Sequence, residues 1–510
     1  MPDQKKPSTP TRLDKPVLSL SKPKPISRKK FKTKVESHSN FKKSNSIHCD
    51  PKKNATSDKK NPHKELGSVP KQKPKNNAEK VGTVALASRR VIYDVLAAVE
   101  EGIQLDKALA SNQGLPKLDD RDRRFVRLLA TTCLRYRGQL EKVLAPLVAR
   151  RPFGAQNNAN LILLMGAAQL LLLKTGAHAA VDSTVELMRQ TGFDRLCGLA
   201  NAVMRRLTRE GDALLETTSA MDNLPSWLQQ SWQHYWGEAT TTAIANLAML
   251  PPPLDISVKG DPEGWAVKLG AQHIDSNSLR REFDGEPSLL EGFEDGAWWV
   301  QDAAAALPAR LLNLAAGQTV IDLCAAPGGK TAQLIAAGGN VTAIDNSQKR
   351  LDRLRRNLKR LKLSANLILC DGKDYNPETQ VDAVLVDAPC SATGTIRRRP
   401  DILNKRDAPN INLLQQIQWQ LTTEALGWLR IGGQLVYATC SLQPEEGEDV
   451  VSAIINAANG KYTINTIKAD EAGIFARSIT DDGCLRILPS DYLDIGGVDG
   501  FFIARLTCLV

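Results

Sequence analysis

Two cysteines follow predicted strands in the C-terminal half of the chain. Cys390 stands in the run Asp387-Ala388-Pro389-Cys390-Ser391, and Cys440 stands in Ala438-Thr439-Cys440-Ser441. A cysteine thiolate is a strong nucleophile that also leaves readily, so it can attack C6 of a pyrimidine ring and later be expelled. The adduct turns C5 into an enamine-like carbon that can accept a methyl group. The two thiols therefore indicate methylation at C5 of a pyrimidine, provided that a methyl donor lies beside them.

A glycine-rich turn upstream of the thiols could hold that donor. It runs from Asp322 to Thr331, and its glycines let the backbone approach a ligand without a Cβ in the way. Such a turn alone could be only a tight strand-to-helix connection, and it lacks the glycine spacing of NAD sites and of P-loops. Carboxylates end four successive predicted strands, where open α/β sheets bind ligands: Asp322, Asp345, Asp371 and Asp387. These acids favour a site for an adenosine-type methyl donor.

Strand and helix patterns alternate from Asp302 onward. The predicted strands are Thr319–Leu323, Val341–Ile344, Asn366–Leu369, Ala383–Val386 and Gln434–Ala438. Near-continuous apolar strands are typical of parallel sheets that are covered on both faces. We therefore predict an α/β Rossmann-like fold, with a doubly wound, mostly parallel sheet. A last pair of runs, Leu485–Leu488 and Gly500–Leu506, is separated by a Gly-rich turn and predicts a terminal antiparallel hairpin.

Three further segments precede this domain, which spans 301–510. Residues 87–212 predict an all-α domain, since apolar residues recur at helical spacing, as in Val91, Val95 and Val99. Residues 213–300 predict a linker and a small α+β subdomain that binds RNA. Its six tryptophans could stack on RNA bases, although packing a small domain is the favoured use. Residues 1–82 are rich in Lys, Pro, Ser and Asn and predict a disordered basic tail.

The charge of the chain is concentrated in that tail. The formal net charge is +11, and residues 1–80 alone contribute 22 Lys and Arg against 7 Asp and Glu, which leaves −4 for residues 81–510. The tail's lysines could neutralise RNA phosphates, or they could simply keep the chain soluble.

Cysteine and histidine usage excludes several classes of protein. Nine cysteines without Cys-x-x-Cys spacing argue against a zinc knuckle or a disulfide framework, and they favour a reducing, cytoplasmic location. No histidine follows His273, which rules out a Ser/His/Asp triad or a His-ligated metal within the catalytic domain alone. No secretory signal is visible, and the longest apolar stretch, Leu161–Leu173, is too short to cross a bilayer. We expect neither a metal nor a membrane partner.

Three runs in the catalytic region resemble the motifs of the Nol1/Nop2/Sun family of S-adenosylmethionine-dependent RNA cytosine-5 methyltransferases: Cys324–Lys330, Asp387–Gly394 and Tyr437–Ser441. The helical region resembles a NusB-like RNA-binding domain in three more runs: Arg121–Phe125, Ala180–Leu187 and Ala200–Arg206. A NusB-like domain joined to this catalytic domain is similar to family members that methylate small-subunit (16S) ribosomal RNA. We expect the protein to be a monomer. We also expect it to act on naked or partly assembled rRNA, because the target base must leave its stack to reach the thiol.

The resemblance also implies roles for individual residues. The cysteine of the Thr-Cys motif, Cys440, would be the nucleophile, and Cys390 would assist release of the product. Asp387, which would also touch the target base, and Lys330 would complete the catalytic group. The donor-binding residues implied by the family are Cys324, Ala325, Ala326, Pro327, Gly328, Gly329, Lys330, Asp345, Asp371 and Asp387.

Two features depart from the family pattern, and two alternative functions stay open. The long basic N-terminal tail is outside that pattern. The family commonly shows His-Pro-Asp where this chain has Arg399-Pro400-Asp401, so that three arginines, 397–399, stand in a row. Such a run would contact phosphates or form a solvated charged face. A DNA cytosine-5 methyltransferase would attack through Cys390, but the presence of Cys440 and the RNA-type helical domain speak against it. A non-catalytic RNA-binding assembly or antitermination factor would not need both thiols and the donor-site acids.

Overall fold

A computed structural model describes the backbone of residues 76–148, 158–283, 285–404 and 408–510 and, from residue 86 onward, their side chains. Most of the predicted basic tail lies outside the described residues. Its last residues, from Asn76, belong to the first helix, which therefore begins upstream of the predicted domain boundary at residue 87. None of the helices in these ranges combines the length with the apolar character that crossing a bilayer requires.

The N-terminal region is a bundle of helices, as its periodicity predicts. Val91, Val95 and Leu96 are buried in its core together with Leu129 and Ile162. Asp119 caps α3 by accepting a hydrogen bond from the Asp122 backbone N–H at 2.7 Å. The helices are α1 (Asn76–Glu100), α2 (Leu105–Ser111), α3 (Asp120–Arg135), α4 (Arg137–Leu144), α5 (Ala159–Ala167), α6 (Ala177–Gln190) and α7 (Cys197–Glu216).

A long helix and a small sheet connect the bundle to the C-terminal domain. Helix α8 (Ser226–Ala248) is interrupted at Gly237, whose φ of +79° is not helical. The four-stranded antiparallel sheet has the order β2-β3-β1-β4. Its elements are β1 (Leu254–Val258), α9 (Pro262–Leu269), β2 (Gln272–Asp275), β3 (Ser278–Arg281) and β4 (Trp298–Val300). Trp232 of α8 and Trp298 of β4 are fully buried, so these two tryptophans pack the interior.

The C-terminal domain is built on an eight-stranded sheet of order β10-β12-β9-β8-β5-β6-β7, with β11 paired to β12. Strands β5 to β9 run parallel, whereas β12 pairs antiparallel with β9, β10 and β11. The strands are β5 (Thr319–Leu323), β6 (Asn340–Asp345), β7 (Asn366–Leu369), β8 (Val381–Asp387), β9 (Leu429–Thr439), β10 (Tyr462–Ile464), β11 (Leu485–Ile487) and β12 (Phe501–Cys508). The helices are α10 (Ala303–Arg310), α11 (Gly329–Ala336), α12 (Gln348–Leu361), α13 (Ile411–Gly427), α14 (Glu448–Ala457) and α15 (Ala469–Ala472).

This architecture confirms the predicted mostly parallel sheet with an antiparallel end. Strands β5 and β7 have the predicted bounds, and β9 is longer than predicted because it begins at Leu429. The connection between β11 and β12 is more than a glycine-rich turn, since it contains a 3-10 helical segment over Pro489–Ile495. Apolar residues of β8 and β9 are buried between the two helical layers, which holds the carboxyl ends of these strands at one edge.

Candidate active site

The two candidate thiols lie at the ends of neighbouring parallel strands. In the register of β8 and β9, Asp387 lies opposite Ala438, so the segments that follow both strands leave the sheet side by side. As a result, the Cys390 and Cys440 sulfurs are 3.5 Å apart. Both cysteines are partly exposed, whereas Cys133, Cys484 and Cys508 are buried. The pair is therefore accessible to a substrate in a way that a core cysteine is not.

The two thiols are coupled through a hydrogen bond in which either sulfur can be the donor. This hydrogen bond, and then burial, raise the pKa of Cys390 well above that of an ordinary thiol. The geometry alone therefore places both sulfurs at the site without deciding which of them attacks.

A buried carboxylate joins the segments that carry the thiols. Glu446 is fully buried and accepts hydrogen bonds from Ser391 N–H at 2.9 Å and from the Ser441 hydroxyl at 2.6 Å. These serines directly follow Cys390 and Cys440. The Gln418 side chain donates to the same carboxylate at 3.0 Å and to the Pro389 carbonyl at 2.9 Å. Because Glu446 has partners on both sides, it fixes the two thiol-bearing segments relative to each other.

A buried ion pair lies at the same edge of the sheet. The Lys330 ammonium is 2.8 Å from the Asp387 carboxylate, and it lies 5.4 Å from the centre of the Phe501 ring. Burial alone would lower the pKa of Lys330, but the Asp387 carboxylate more than offsets it, so the pKa of Lys330 is raised. The Cys440 sulfur acts in the same direction. Lys330 is therefore a permanent cation next to the predicted nucleophile.

A cavity of about 310 Å³ opens beyond the carboxyl ends of β5, β6 and β7. Its wall combines two carboxylates, one arginine and several apolar side chains, among them Asp345, Asp371, Arg350, Ile344, Ile417 and Leu421. Asp345 is buried, and its carboxylate accepts hydrogen bonds from Ala326 N–H at 3.3 Å and from the Arg350 side chain at 2.9 Å. Acids and apolar walls at this edge fit an adenosyl group, whose ribose hydroxyls need acceptors and whose base needs apolar contact.

The turn between β5 and α11 has an unusual backbone. Cys324 has a φ of +62° and Gly328 a φ of +101°, and the second of these favours a glycine. Asp322, the penultimate residue of β5, is fully buried and accepts a hydrogen bond from the Thr331 hydroxyl at 2.6 Å. Its other carboxylate oxygen has no partner among the described residues. Burial raises the pKa of Asp322 to about 7. Asp322 supports the turn through Thr331, and it is not among the residues that line the cavity.

Comparisons with known proteins identify the family. The model described as "16S rRNA methyltransferase RsmB/F" matches residues 309–507, and the NusB family model matches residues 86–209. A "Ribosomal RNA small subunit methyltransferase B" from Pseudomonas putida is 36% identical over 433 residues, covering 81% of this chain and 96% of the relative. The chain belongs to this methyltransferase family. A protein of the same name from Escherichia coli is 33% identical, covering 80% of this chain and 95% of the relative.

A solved structure supports the fold independently. The crystal structure of PH0851 aligns with a TM-score of 0.66 at 21% identity, covering 83% of this chain and 98% of that one. At this identity the likeness shows the fold alone.

The structure brings some of the predicted site residues of this methyltransferase together and separates others. Cys324, Asp345 and Asp371 line the cavity, while Lys330 and Asp387 pair with each other.

Glu446 is a site residue that the sequence did not predict. An acid shortly after the Thr-Cys-Ser run was the only signal, and nothing local indicates that it is buried. Across the described residues, no group of three or more His, Cys, Asp or Glu side chains is placed to hold a metal ion.

The arginine run at 397–399 is used differently from either expectation. Arg398 is tied by ion pairs to three acids: Asp302 at 2.7 Å, Asp499 at 3.2 Å and Asp255 at 3.4 Å. Arg397 is buried and donates to the carbonyls of Leu250, Pro251 and Gly496. The Arg135 side chain of α3 donates to the Arg397 carbonyl at 2.9 Å. The prediction of phosphate contacts or a solvated run is therefore wrong for Arg397 and Arg398. Arg397 joins the helical bundle to the catalytic domain, and Arg398 joins β1 of the small sheet to the same domain.

Helix α8 contacts the segment that follows the predicted nucleophile. The Trp232 indole donates to the Gln443 side chain at 2.9 Å, and the Trp236 indole donates to the Leu442 carbonyl at 3.2 Å. The Arg486 side chain donates to the Ser441 carbonyl at 2.6 Å. The backbone on the carboxyl side of Cys440 is therefore held by an upstream helix as well as by Glu446.

Proposed function

We propose that this protein transfers a methyl group from S-adenosylmethionine to C5 of a cytosine in small-subunit (16S) ribosomal RNA, through a covalent bond between Cys440 and C6. The observation that carries the proposal is the pair of partly exposed sulfurs 3.5 Å apart, at the ends of strands next to the acid-lined cavity. Membership of the small-subunit rRNA methyltransferase family supports the choice of substrate.

The methyl donor would occupy the cavity beyond β5, β6 and β7. Asp345 would accept hydrogen bonds from the ribose hydroxyls, and Asp371 would accept one from the adenine amino group. Arg350 now donates to Asp345, so its side chain would have to turn away from that carboxylate. The donor supplies an electrophilic methyl group, and the chain's own residues supply the covalent activation of the base.

Cys440 begins the reaction by attacking C6 of the cytosine. The sulfur–carbon bond forms as the C5–C6 double bond gives its electron pair to the ring, so that C5 becomes the nucleophile. Methyl transfer would leave the donor as a neutral thioether, and transfer of the C5 proton to water would then restore the double bond and expel the Cys440 thiolate. The Cys390 thiol lies 3.5 Å from that sulfur and would protonate it as it leaves, which assists release of the product.

Lys330 and Asp387 would act on the target base and on the charge that the reaction creates. The Lys330 cation stabilises a neighbouring thiolate by charge attraction, and Asp387 keeps that cation in place at 2.8 Å. The Asp387 carboxylate also lies at the end of β8, close to where the polar edge of a cytosine would enter. The second thiol at Cys440 and the match of residues 86–209 to the NusB family argue against the DNA-type alternative, in which Cys390 would attack.

The target cytosine would have to leave its stack to reach sulfurs held at a strand end. Accordingly, we propose that the substrate is naked or partly assembled rRNA in the cytoplasm, and that the enzyme acts as a monomer. Activity confined to finished subunits would contradict this choice of substrate.

The test is methyl transfer by the purified full chain to unmodified 16S rRNA transcript, with S-adenosylmethionine labelled in its methyl group. We expect label in RNA that nuclease digestion recovers as 5-methylcytidine, and no label in 23S rRNA transcript. Binding of 16S rRNA without any transfer of label would support the non-catalytic assembly factor instead. Label recovered in a methylated exocyclic amine would contradict the covalent route.

A further inference from the structure

Helix α12 presents a stripe of cations to solvent. Its apolar residues all face the core: Leu351, Leu354, Leu358 and Leu361 are each no more than 3% exposed. Four exposed cations lie on the opposite side, at spacings that place them on one face of a helix: Lys349, Arg353, Arg356 and Lys359. We call these four residues the α12 basic face. It extends for about 15 Å along the helix axis, at the rise of an α-helix.

The charges of this face are not neutralised by the protein. In the part of the chain that the structure describes, none of the four residues has a carboxylate partner. Their neighbours on the same helix do have one: Arg355 pairs with Asp352 at 2.7 Å, and Arg350 pairs with Asp345 at 2.9 Å. Residues 81–510 carry a net formal charge of −4, so the cluster does not simply reflect a basic domain.

The chemistry of the face selects its partner. The apolar side of α12 is used by the core, so this helix has no hydrophobic surface with which to enter a bilayer or a helix-binding groove. The α12 basic face offers only a line of positive charges, and this line matches the regularly spaced negative charges of a nucleic acid backbone.

The position of the face connects it to the active site. Helix α12 begins just after Asp345, whose carboxylate lines the donor cavity, and Arg350 of the same helix also lines it. At its other end, the Leu361 carbonyl accepts a hydrogen bond from the Lys259 ammonium at 2.8 Å, and Arg360 donates to the Trp298 carbonyl at 3.1 Å. The face thus runs from the active-site edge to the small antiparallel sheet.

We infer that the α12 basic face binds the phosphate backbone of the substrate RNA beside the target cytosine, as a contact site separate from the NusB-like bundle. The inference rests on the proposed rRNA substrate. It adds a second RNA contact on the catalytic domain itself, on the flank of the cavity that binds the methyl donor.

The experiment compares two double variants of the full chain. R353Q/R356Q removes two cations of the α12 basic face. K461Q/K468Q removes two exposed lysines near β10, at the opposite end of the sheet, and serves as the matched control. Binding to 16S rRNA transcript is measured between 50 and 200 mM salt, together with binding of S-adenosylmethionine and the thermal midpoint.

Two lost phosphate contacts should flatten the plot of log affinity against log salt by about 1.5. The loss of affinity across that salt range should then be about tenfold smaller for R353Q/R356Q than for the wild type. R353K/R356K should restore the wild-type slope, because a lysine still places a charge near a phosphate. Binding of S-adenosylmethionine and the thermal midpoint should not change in any variant.

If R353Q/R356Q matches K461Q/K468Q in affinity and slope while the wild type methylates the RNA, the inference is wrong and the proposed function stands. If the wild type neither binds nor methylates 16S rRNA, the proposed function fails, and the inference fails with it. A loss of RNA binding that R353K/R356K does not restore would also overturn the inference, because it would indicate a structural role for these arginines.

Discussion

Two arginine-rich segments of this chain look alike in sequence and are placed in opposite ways. In the segment 397–399, Arg397 is buried and Arg398 is surrounded by three carboxylates. On α12, Arg353 and Arg356 are exposed, and neither has a carboxylate partner within the described residues. The first segment joins two parts of the molecule, and the second leaves its charge available to a partner.

The difference shows that the position of acids, and not the density of arginines, decides how a basic run is used. The acids around Arg398 are Asp255, Asp302 and Asp499, which come from three distant stretches of the chain. No local sequence pattern can show that these three acids meet at Arg398. The placement of α12 is different, because its leucine spacing alone predicts which side faces the core.

Removing one arginine from each segment tests most strongly whether the two segments contribute differently to stability. We expect Arg398→Ala to lower the free energy of unfolding by about 3–5 kcal/mol, since it removes the ion-pair partner of the buried Asp302 and Asp499 carboxylates, while Asp255 keeps its pair with Arg280. Arg353→Ala, the matched control, should change it by no more than about 0.5 kcal/mol. Urea unfolding measures both. Equal effects of the two substitutions would mean that the buried and exposed arginines are not used differently.

Asp322 is a buried acid that, unlike the acids around Arg398, has no cation bonded to it among the described residues. Burial raises the pKa of Asp322 to about 7 in the folded state, so the folded protein holds a proton that the unfolded chain releases near pH 4. The Asp322 contribution to stability is therefore greatest below about pH 4 and is lost as the pH rises to about 7. Thermal unfolding of the wild type and of Asp322→Asn, measured from pH 4 to pH 8, should converge at low pH. At neutral pH, Asp322→Asn should be the more stable protein. Parallel curves would contradict the prediction.

A third prediction separates positioning from stability at Glu446. Glu446→Gln cannot accept all of the hydrogen bonds from the Ser391 backbone N–H and from the Ser441 and Gln418 side chains, so it should cost about 1–3 kcal/mol of stability. It should also lower kcat while leaving the KM for S-adenosylmethionine unchanged, because Glu446 contacts the thiol segments and not the cavity. Glu445→Gln, which alters the partly exposed neighbour, is the control. A change in KM with kcat intact would contradict the positioning role.

Much of the fold could be predicted because its signals are local. Strands such as Thr319–Leu323 are short apolar runs bounded by turns, and the bundle helices repeat apolar residues at helical spacing. The pairing of β12 with β9, β10 and β11 could not be predicted in full, because it joins residues far apart in the chain. The start of α1 lies upstream of the predicted boundary because the lysine-rich composition of residues 1–82 is typical of a disordered tail and gives no local sign of a helix.

The site was predicted to a similar extent and for a similar reason. Cys390, Cys440 and the strand-end acids are visible because chemistry requires those residue types at the ends of strands. Glu446 is not visible, because its function depends on partners from three separate segments. Which of the strand-end acids line the cavity, and which one pairs with Lys330, can also be seen only in the assembled sheet.

The central claim is that Cys440, and not Cys390, forms the bond to the base, and covalent trapping tests it most directly. An RNA that carries 5-fluorocytosine at the target position cannot lose its C5 substituent, so the sulfur–C6 adduct persists and migrates as a protein–RNA complex in a denaturing gel. We predict that the wild type and Cys390→Ala form this complex in the presence of S-adenosylmethionine and that Cys440→Ala does not. A complex that survives the loss of Cys440 but disappears with the loss of Cys390 would contradict the account.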